Sequence, residues 1–119
     1  MTDEQTPQEG GTIDIDTFKR ADIRIGEIRS AEKVADADKL LRLVVFFGGE
    51  EERQIVSGIA AYFPDPATLV GKKVAFAYNL KPRIIRGLES NGMILAATGE
   101  DGSFSLLETH DVPAGARIR

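Results

Sequence analysis

Apolar and polar positions alternate along much of this chain, and helical periodicity is scarce. Residues 22–34 place Ile23 and Ile25 on one side with charged residues between them, which predicts a half-buried strand. Gly26 within this segment predicts a bulge or a sharp bend. Residues 40–47 are nearly all apolar and therefore predict a second strand at the centre of a sheet.

Turn signals divide the rest of the chain into further short elements. Gly48-Gly49 predicts a hairpin turn into a strand over residues 53–57. Two prolines within residues 59–70 predict a short helix or turns, and Asp16 is expected to cap one helical turn near the N-terminus. The remaining predictions are strands over 72–79, 92–98 and 104–107, with a loop over 80–89.

Five or six short strands, with a short helix between the third and the fourth, predict an all-β protein. The layout is typical of an OB-fold, a five-stranded Greek-key barrel. An SH3-like barrel or a small sandwich would produce a similar pattern, so the strands alone leave these architectures open. A length of 119 residues predicts one domain, and the apolar runs fall far short of the about 18 residues that a membrane helix needs.

Residue types that carry catalysis are scarce in this chain. It has no Cys, which excludes disulfides, thiolate catalysis and Cys-ligated metals and agrees with a cytoplasmic location. The single histidine, His110, is expected on the surface. Ser57 lacks the flanking glycines of a nucleophile elbow, and Asp36 with Asp38 is expected to form a turn. We therefore expect no enzymatic activity, no metal and no cofactor.

The net charge of −4 argues at first against a nucleic-acid partner. Residues 1–16, however, hold five acidic residues and no cation, so the charge belongs mainly to this segment. We predict that residues 1–16 form an acidic, mostly disordered tail and residues 17–119 the folded domain. Between residues 71 and 88 there is no acidic residue. The cations of that stretch are Lys72, Lys73, Lys81, Arg83 and Arg86.

Residues 78–97 combine cations with small polar side chains. Pro82 stiffens the loop between Lys81 and Arg83, and Arg86 adds a third positive charge. This set suits an oxygen-rich ligand such as a phosphate backbone. A solvated loop, with Met93 in the core, explains the same residues equally well on physical grounds. The hydrogen-bonding residues of the stretch are Asn79, Ser90 and Asn91.

Several blocks, in order, resemble the tRNA-binding domain found at the C-terminus of bacterial methionyl-tRNA synthetases and in free-standing small tRNA-binding proteins. The blocks are FKRADIRIGEI (18–28), ADADKLLRL (35–43), RQIVSGIA (53–60), GKKV (71–74), NLKPR (79–83) and GLESNGMILAA (87–97). The resemblance covers the chain from about Thr17 to Arg119. It implies an OB-fold homodimer that binds tRNA by shape and backbone, without catalysis of its own.

The resemblance also implies which residues contact RNA. The family's RNA-contacting loop and strand fall on Asn79, Lys81, Arg83, Ser90 and Met93. From charge alone we add Arg86, Lys72, Lys73, Arg42 and Arg53 as further phosphate contacts. Two departures, Val34-Ala35 before Asp36 and Ile84 after the LKPR block, reduce polar or cationic character, so we expect a lower affinity than in a typical member. The ends of the domain, residues 13–28 and 104–119, are the expected dimer interface.

Two other functions remain open at the level of sequence. A branch of the same fold family is described as an export-related, peptide-binding chaperone, for which an apolar pocket near Met93 would be the distinguishing feature. A purely structural role would be to dimerise a larger methionyl-tRNA synthetase, whose catalytic region would then be a partner. The sequence does not distinguish a free-standing protein from an excised synthetase domain.

Overall fold

The computed structural model describes residues 11–119, so most of the predicted tail lies outside the described residues. One short helix, α1 (Ile15–Lys19), precedes the strands, and two 3₁₀ turns, Ala60–Tyr62 and Pro66–Leu69, follow the third strand. The strands are β1 (Ile23–Val34), β2 (Ala37–Phe46), β3 (Glu52–Ser57), β4 (Lys73–Ala77), β5 (Arg83–Ile85), β6 (Leu88–Ser90), β7 (Met93–Ile94), β8 (Ala96–Thr98), β9 (Phe104–Leu106) and β10 (Arg117–Ile118).

The main sheet has the strand order β3-β2-β1-β4-β7, with β10 also paired to β1. Strand β1 can serve several neighbours because it is 12 residues long. Its first half pairs with β4 and its second half with β2, all antiparallel. The pairs β5–β6 and β8–β9 form separate two-stranded sheets. The predicted all-β class is confirmed, and the central position of β2 between β1 and β3 is confirmed with it.

The core lies on one side of the main sheet, as strand alternation requires. Along β2, Leu41, Leu43 and Val45 are fully buried, whereas the intervening Arg42 and Val44 are only partly covered. Phe76 of β4 and Leu69 of the second 3₁₀ turn close the same core. Side chains therefore point alternately to the core and to the outer face, which determines the polar surface described below.

Strands β3 and β7 lie at opposite ends of the strand order, and hydrogen bonds from the segment between β6 and β7 connect them. The Asn91 backbone N–H donates to the Gln54 carbonyl at 2.8 Å. The Ser90 hydroxyl accepts from the Val56 N–H at 2.9 Å and donates to the Gly92 carbonyl at 3.2 Å. Within residues 11–119 the strand ladders themselves do not close, so these bonds give the domain the form of a partly open barrel.

Gly26 is required for close packing and does not form a bulge. A Cβ atom at this position would lie 2.5 Å from Cγ1 of Val45 and 2.8 Å from Cε1 of Phe47. The register shift of β1 against β2 lies between Ile28 and Ser30 instead. The prediction of a bulge at Gly26 is therefore wrong, because a glycine in a strand also marks a place where two layers approach closely. The alternative, a sharp bend at Gly26, stays a prediction.

Two other local predictions need correction. The cap of α1 is Asp14, whose carboxylate accepts from the Thr17 N–H at 2.8 Å, and the predicted cap, Asp16, lies within the helix. The expected loop over 80–89 contains the hairpin β5–β6. The short helix or turns expected between the third and fourth strands are present as two 3₁₀ turns, the second of which begins at Pro66 after Asp65.

The last predicted strands also differ in detail. The strand expected over 92–98 is divided into β7 and β8 at Leu95, because the two parts pair with different partners. The pairing of β10 with β1 has no counterpart among the predictions. Among the described residues, no helix is long and apolar enough to cross a membrane.

Candidate nucleic-acid interface

The hairpin β5–β6 lies at the end of the basic stretch, and most of its residues are exposed. Arg83 lies opposite Ser90, and Ile84 lies opposite Glu89. The turn is formed by Arg86 and Gly87, whose φ angles are 54° and 83°. Two left-handed residues are what a two-residue hairpin turn with the twist of the strands requires. The tip is open, since a Cβ atom placed on Gly87 would have no neighbour within 4 Å.

Two cations of this hairpin region have no carboxylate partner within residues 11–119. Lys81 and Arg83 are both exposed, and neither side chain makes an ion pair or a hydrogen bond with another described residue. Among the residues that the structure describes, Arg86 donates only to the Asp36 carbonyl, at 3.3 Å, and has no carboxylate partner. Glu89 is the acidic residue of the hairpin, and the three cations outnumber it. The hairpin therefore presents positive charge to solvent.

Three of the additional phosphate contacts predicted from charge, unlike Lys81 and Arg83, bond to other described residues of the domain. They are Arg42, Lys72 and Lys73. Arg42 forms an ion pair with Glu32 at 2.6 Å, and Lys72 forms one with Glu108 at 3.2 Å. Lys73 donates to the Val112 carbonyl at 3.1 Å and keeps its charge. Arg42 lines one groove with Arg86 of the hairpin, so it lies beside a hairpin cation while its own charge is paired with Glu32. Two of the three residues, Arg42 and Lys72, are therefore already neutralised by carboxylates.

Arg53 belongs to a compact network around the Tyr78 ring. Its guanidinium lies 3.6 Å from the ring centroid, and Arg24 lies 4.1 Å from it. Arg53 also donates to the Tyr78 carbonyl at 2.7 Å and to Glu51 at 2.8 Å, and the Tyr78 hydroxyl donates to Glu51 at 2.5 Å. Arg24 is bonded through two nitrogens to Asp22, each at 3.0 Å. We name these five residues the Tyr78 network.

The network changes the titration of its acidic and phenolic groups. The hydrogen bond from the Tyr78 hydroxyl, with that from Arg53, holds the pKa of Glu51 below its usual value. The hydrogen bonds from Arg24 lower the pKa of Asp22 in the same way. Burial, and the bond to Glu51, raise the pKa of Tyr78. The carboxylates are therefore charged, and the phenol is neutral, at neutral pH.

The side chains of Asn79 and Ser90 form hydrogen bonds with other residues of the domain. The Asn79 carbonyl oxygen accepts from the Asp22 N–H at 2.9 Å, and its amide donates to the Arg20 carbonyl at 2.8 Å. Ser90 is 1% exposed, so its hydroxyl does not reach the surface on which the family resemblance predicts an RNA contact. Met93, which is 42% exposed, does lie on the surface beside the end of β4.

This arrangement of strands and cations can be compared with known proteins. Residues 23–117 match the model of the tRNA binding domain family. The chain belongs to the tRNA-binding domain family.

Relatives of this tRNA-binding domain agree in sequence and in fold. The methionine–tRNA ligase of Deinococcus radiodurans is 46% identical over 125 aligned positions, which cover 99% of this chain and 18% of the ligase. A solved methionyl-tRNA-synthetase-related protein from Pyrococcus horikoshii is 43% identical with a TM-score of 0.84, covering 91% of this chain and 98% of the other. The chaperone CsaA from Bacillus anthracis is 26% identical with a TM-score of 0.80, covering 91% and 99%.

The tRNA-binding domain has a second exposed surface, formed by α1 and the C-terminus. No residue of α1 is buried, and the exposed fractions of Ile15 and Phe18 are 63% and 45%. They border a groove of about 380 Å³ together with Ile118, and Leu107 is a further exposed apolar side chain near the C-terminus. Apolar side chains grouped in this way are typical of an interaction surface.

Sequence reasoning missed one residue that joins the tRNA-binding domain's sheet to its hairpin. Gln54 of β3 donates from its side chain to the Glu89 carbonyl at 2.9 Å. The position of Gln54 was a usable signal, because it is a partly covered polar residue directly before the buried pair Ile55 and Val56. What this position could not reveal is the partner, which lies 35 residues away in sequence.

Proposed function

We propose that this domain binds tRNA without catalysis and that the hairpin β5–β6 makes the principal phosphate contacts. The observation that carries the proposal is the exposure of Lys81 and Arg83, which have no carboxylate partner among residues 11–119. A phosphate can approach these cations without displacing a carboxylate, and solvent ions are released in its place. Arg86 and Lys73, which within the described part of the chain are bonded only to carbonyl oxygens, add to the positive field.

The roles of the other predicted contact residues follow from their surroundings. Met93 offers an exposed, adaptable apolar contact next to the hairpin. Asn79 and Ser90 support the binding surface from behind, by joining β4 to β1 and the end of β6 to β3. Arg42, Arg53 and Lys72 are held by carboxylates and contribute little to phosphate binding. Recognition by shape and backbone needs no set of base-stacking side chains on the hairpin.

We infer that the domain acts as a homodimer through α1 and its C-terminal segment. Ile15, Phe18 and Ile118 are exposed, apolar and adjacent to one groove, which supports burial against a second copy. These residues fall within the segments 13–28 and 104–119 that the sequence suggested. Two hairpins on one dimer would engage one tRNA together, and the second contact would gain from the high effective concentration.

The chain spans 18% of the Deinococcus ligase that it matches, so the activity of a whole synthetase is a matter of proposal for this protein. We propose that the domain supplies tRNA affinity in the cytoplasm, either attached to the catalytic region of a methionyl-tRNA synthetase or as a separate protein. In both settings the chemistry of aminoacylation would belong to the catalytic region, and this domain would hold the tRNA.

The test is binding of total tRNA across a salt series, with the mass measured by sedimentation in the same samples. We expect a dimer whose log K falls linearly with log salt, by roughly 0.7–0.9 per phosphate contact. Phe18→Asp should give a monomer with roughly half the slope and about tenfold or greater weaker binding. Binding that is absent at low salt, or that does not depend on salt, would contradict the proposal.

Peptide binding is the second candidate, and one observation favours it. Ile84 is 71% exposed, and Leu80 and Met93 are each 42% exposed, so apolar side chains accompany the cations on the same stretch of chain. The structural similarity to the chaperone CsaA agrees with such a use. A labelled unfolded peptide that binds and is displaced by tRNA would place both ligands on one surface. A peptide that fails to bind would leave tRNA as the ligand.

A further inference from the structure

A chain of polar side chains crosses the outer face of the main sheet and ends on the hairpin. Glu32 of β1 and Arg42 of β2 are directly opposite each other in the ladder, with both Nε and Nη2 of Arg42 bonded to Oε1 of Glu32 at 3.0 and 2.6 Å. Nη1 of Arg42 donates to Oε1 of Gln54 at 3.2 Å. Nε2 of Gln54 then donates to the Glu89 backbone carbonyl at 2.9 Å. Four strands, β1, β2, β3 and β6, are joined in sequence.

The partners of Gln54 determine which way its amide points. A guanidinium offers only donors, and a carbonyl offers only an acceptor. The observed orientation pairs the Gln54 oxygen with Arg42 and its nitrogen with the Glu89 carbonyl. The reversed orientation would place donor against donor on one side and acceptor against acceptor on the other. Arg42 therefore holds Gln54 in the orientation that binds the hairpin, and Glu32 holds Arg42.

The hairpin has few other attachments among the described residues. Its base is held through Ser90 and Asn91, which bond to β3. Its turn is held by the single bond from Arg86 to the Asp36 carbonyl at 3.3 Å. A two-stranded sheet is only marginally stable by itself. The Gln54 bond is the side-chain attachment in the middle of the hairpin, on the strand opposite the exposed Arg83 and Ile84.

We propose that Gln54, oriented by the Glu32–Arg42 pair, is a positioning residue for the RNA-binding hairpin, and that Arg42 acts through Gln54 and not on a phosphate. This inference rests on the proposed function. A hairpin that is already held in place loses less conformational freedom when RNA binds, so its affinity is higher with the same number of phosphate contacts. Loss of the attachment should therefore weaken binding without changing the number of released counterions.

The experiment compares two variants that keep the net charge. Gln54→Met keeps the length of the side chain and removes both hydrogen bonds, and Glu32→Gln with Arg42→Gln removes one charge of each sign. Both changes lie on the outer face of the sheet, away from the buried core. Thr98→Val is the control, because it removes a polar group from an exposed strand position for which no side-chain hydrogen bond is found within residues 11–119.

The measurements are tRNA affinity across a salt series and hydrogen exchange of the hairpin amides in the free protein. We expect both variants to bind tRNA about fivefold more weakly, the effect of one net hydrogen bond, with the salt slope of the wild type. Exchange of residues 83–90 should become faster while the amides of β1 and β2 keep their protection. Thr98→Val should match the wild type in both measurements.

Each alternative result overturns the inference. A salt slope that falls by roughly 0.7–0.9 in the Glu32→Gln, Arg42→Gln variant would identify Arg42 as a phosphate contact. Unchanged affinity in Gln54→Met, or unchanged exchange of the hairpin, would show that the attachment does not matter. A wild-type protein that fails to bind tRNA in the same assay would instead overturn the proposed function. The wild-type titration therefore separates the two failures.

Discussion

The Tyr78 network and the hairpin β5–β6 contain the same type of cationic side chain in opposite circumstances. In the network, Arg24 and Arg53 lie over one aromatic ring and are bonded to Asp22 and Glu51. On the hairpin, Arg83 is exposed and has no carboxylate partner within residues 11–119. The difference shows that the positive charge available to a ligand depends on the neighbours of a cation and not on its presence in the sequence.

The physical reason is competition between carboxylate and phosphate. A guanidinium that already donates to a carboxylate within 3 Å presents little net charge to an approaching anion. A phosphate would have to displace the carboxylate, and the displaced group would lose its charge-assisted hydrogen bonds. At an open cation, the phosphate displaces only water and mobile ions, whose release favours binding. Binding should therefore concentrate on the hairpin, and stability should concentrate on the network.

The largest expected effect is on the hairpin side of this comparison. Lys81→Ala with Arg83→Ala should weaken tRNA binding about thirtyfold, or about 2 kcal/mol, and lower the salt slope by about 1.4–1.8. The free energy of unfolding should not change, because both side chains are exposed. A gel-shift assay across a salt series and urea unfolding measure the two effects. Lys72→Ala, which removes a cation that is paired with Glu108, is the control and should change the slope far less.

The second effect is on the network side. Arg53→Met should lower the free energy of unfolding by about 1–2 kcal/mol, since it removes the contact with the Tyr78 ring and the bonds to Glu51 and the Tyr78 carbonyl. The Arg53 side chain is 17% exposed, so water replaces these contacts poorly. The salt slope of tRNA binding should stay at the wild-type value. A lowered slope with unchanged stability would reverse the roles assigned to the two regions.

A third, smaller effect is the pH dependence of stability that the network contributes. The pKa values of Glu51 and Asp22 are lower in the folded domain than in free side chains. Their contribution to stability is therefore complete above the ordinary carboxyl range, near pH 4–5, and is lost as the pH falls through the lowered values. Urea unfolding between pH 7 and pH 3 should show this loss. Glu51→Gln should reduce the change with pH, and an equally steep loss in that variant would contradict the assignment.

The smallest effect concerns the acidic N-terminal segment, most of which lies outside the described residues. An acidic segment should compete weakly with non-specific RNA for the hairpin cations. Removing residues 1–12 should then raise binding to a non-specific RNA about twofold at low salt, and the gain should vanish at high salt. A full-length variant with Asp3→Asn, Glu4→Gln and Glu9→Gln is the matched control. If neither variant raises the binding, the segment does not compete for the hairpin.

Local patterns predicted the long strands and missed some of the short ones. Residues 22–34 and 40–47 carry clear alternation or a long apolar run, and β1 and β2 lie there. The sequence pattern predicts a loop where the hairpin β5–β6 lies, because the turn Arg86-Gly87 has a non-glycine residue at positive φ and lacks the usual Asn-Gly or Asp-Gly signal. Strand β10 is two residues long, and its pairing with β1 depends on the fold around it.

The sequence by itself determined the family, the all-β class and the stretch of cations between residues 71 and 88. The tertiary structure decided which of those cations are open. Lys72 meets Glu108 across 36 residues of sequence. Outside that stretch, Arg42 likewise meets Glu32 across 10 residues. Composition and local periodicity describe neighbours along the chain, whereas ion pairs and hydrogen bonds form between neighbours in space. For that reason, the sequence shows that residues 71–88 are basic, and only the folded sheet determines which of their cations can contact a ligand.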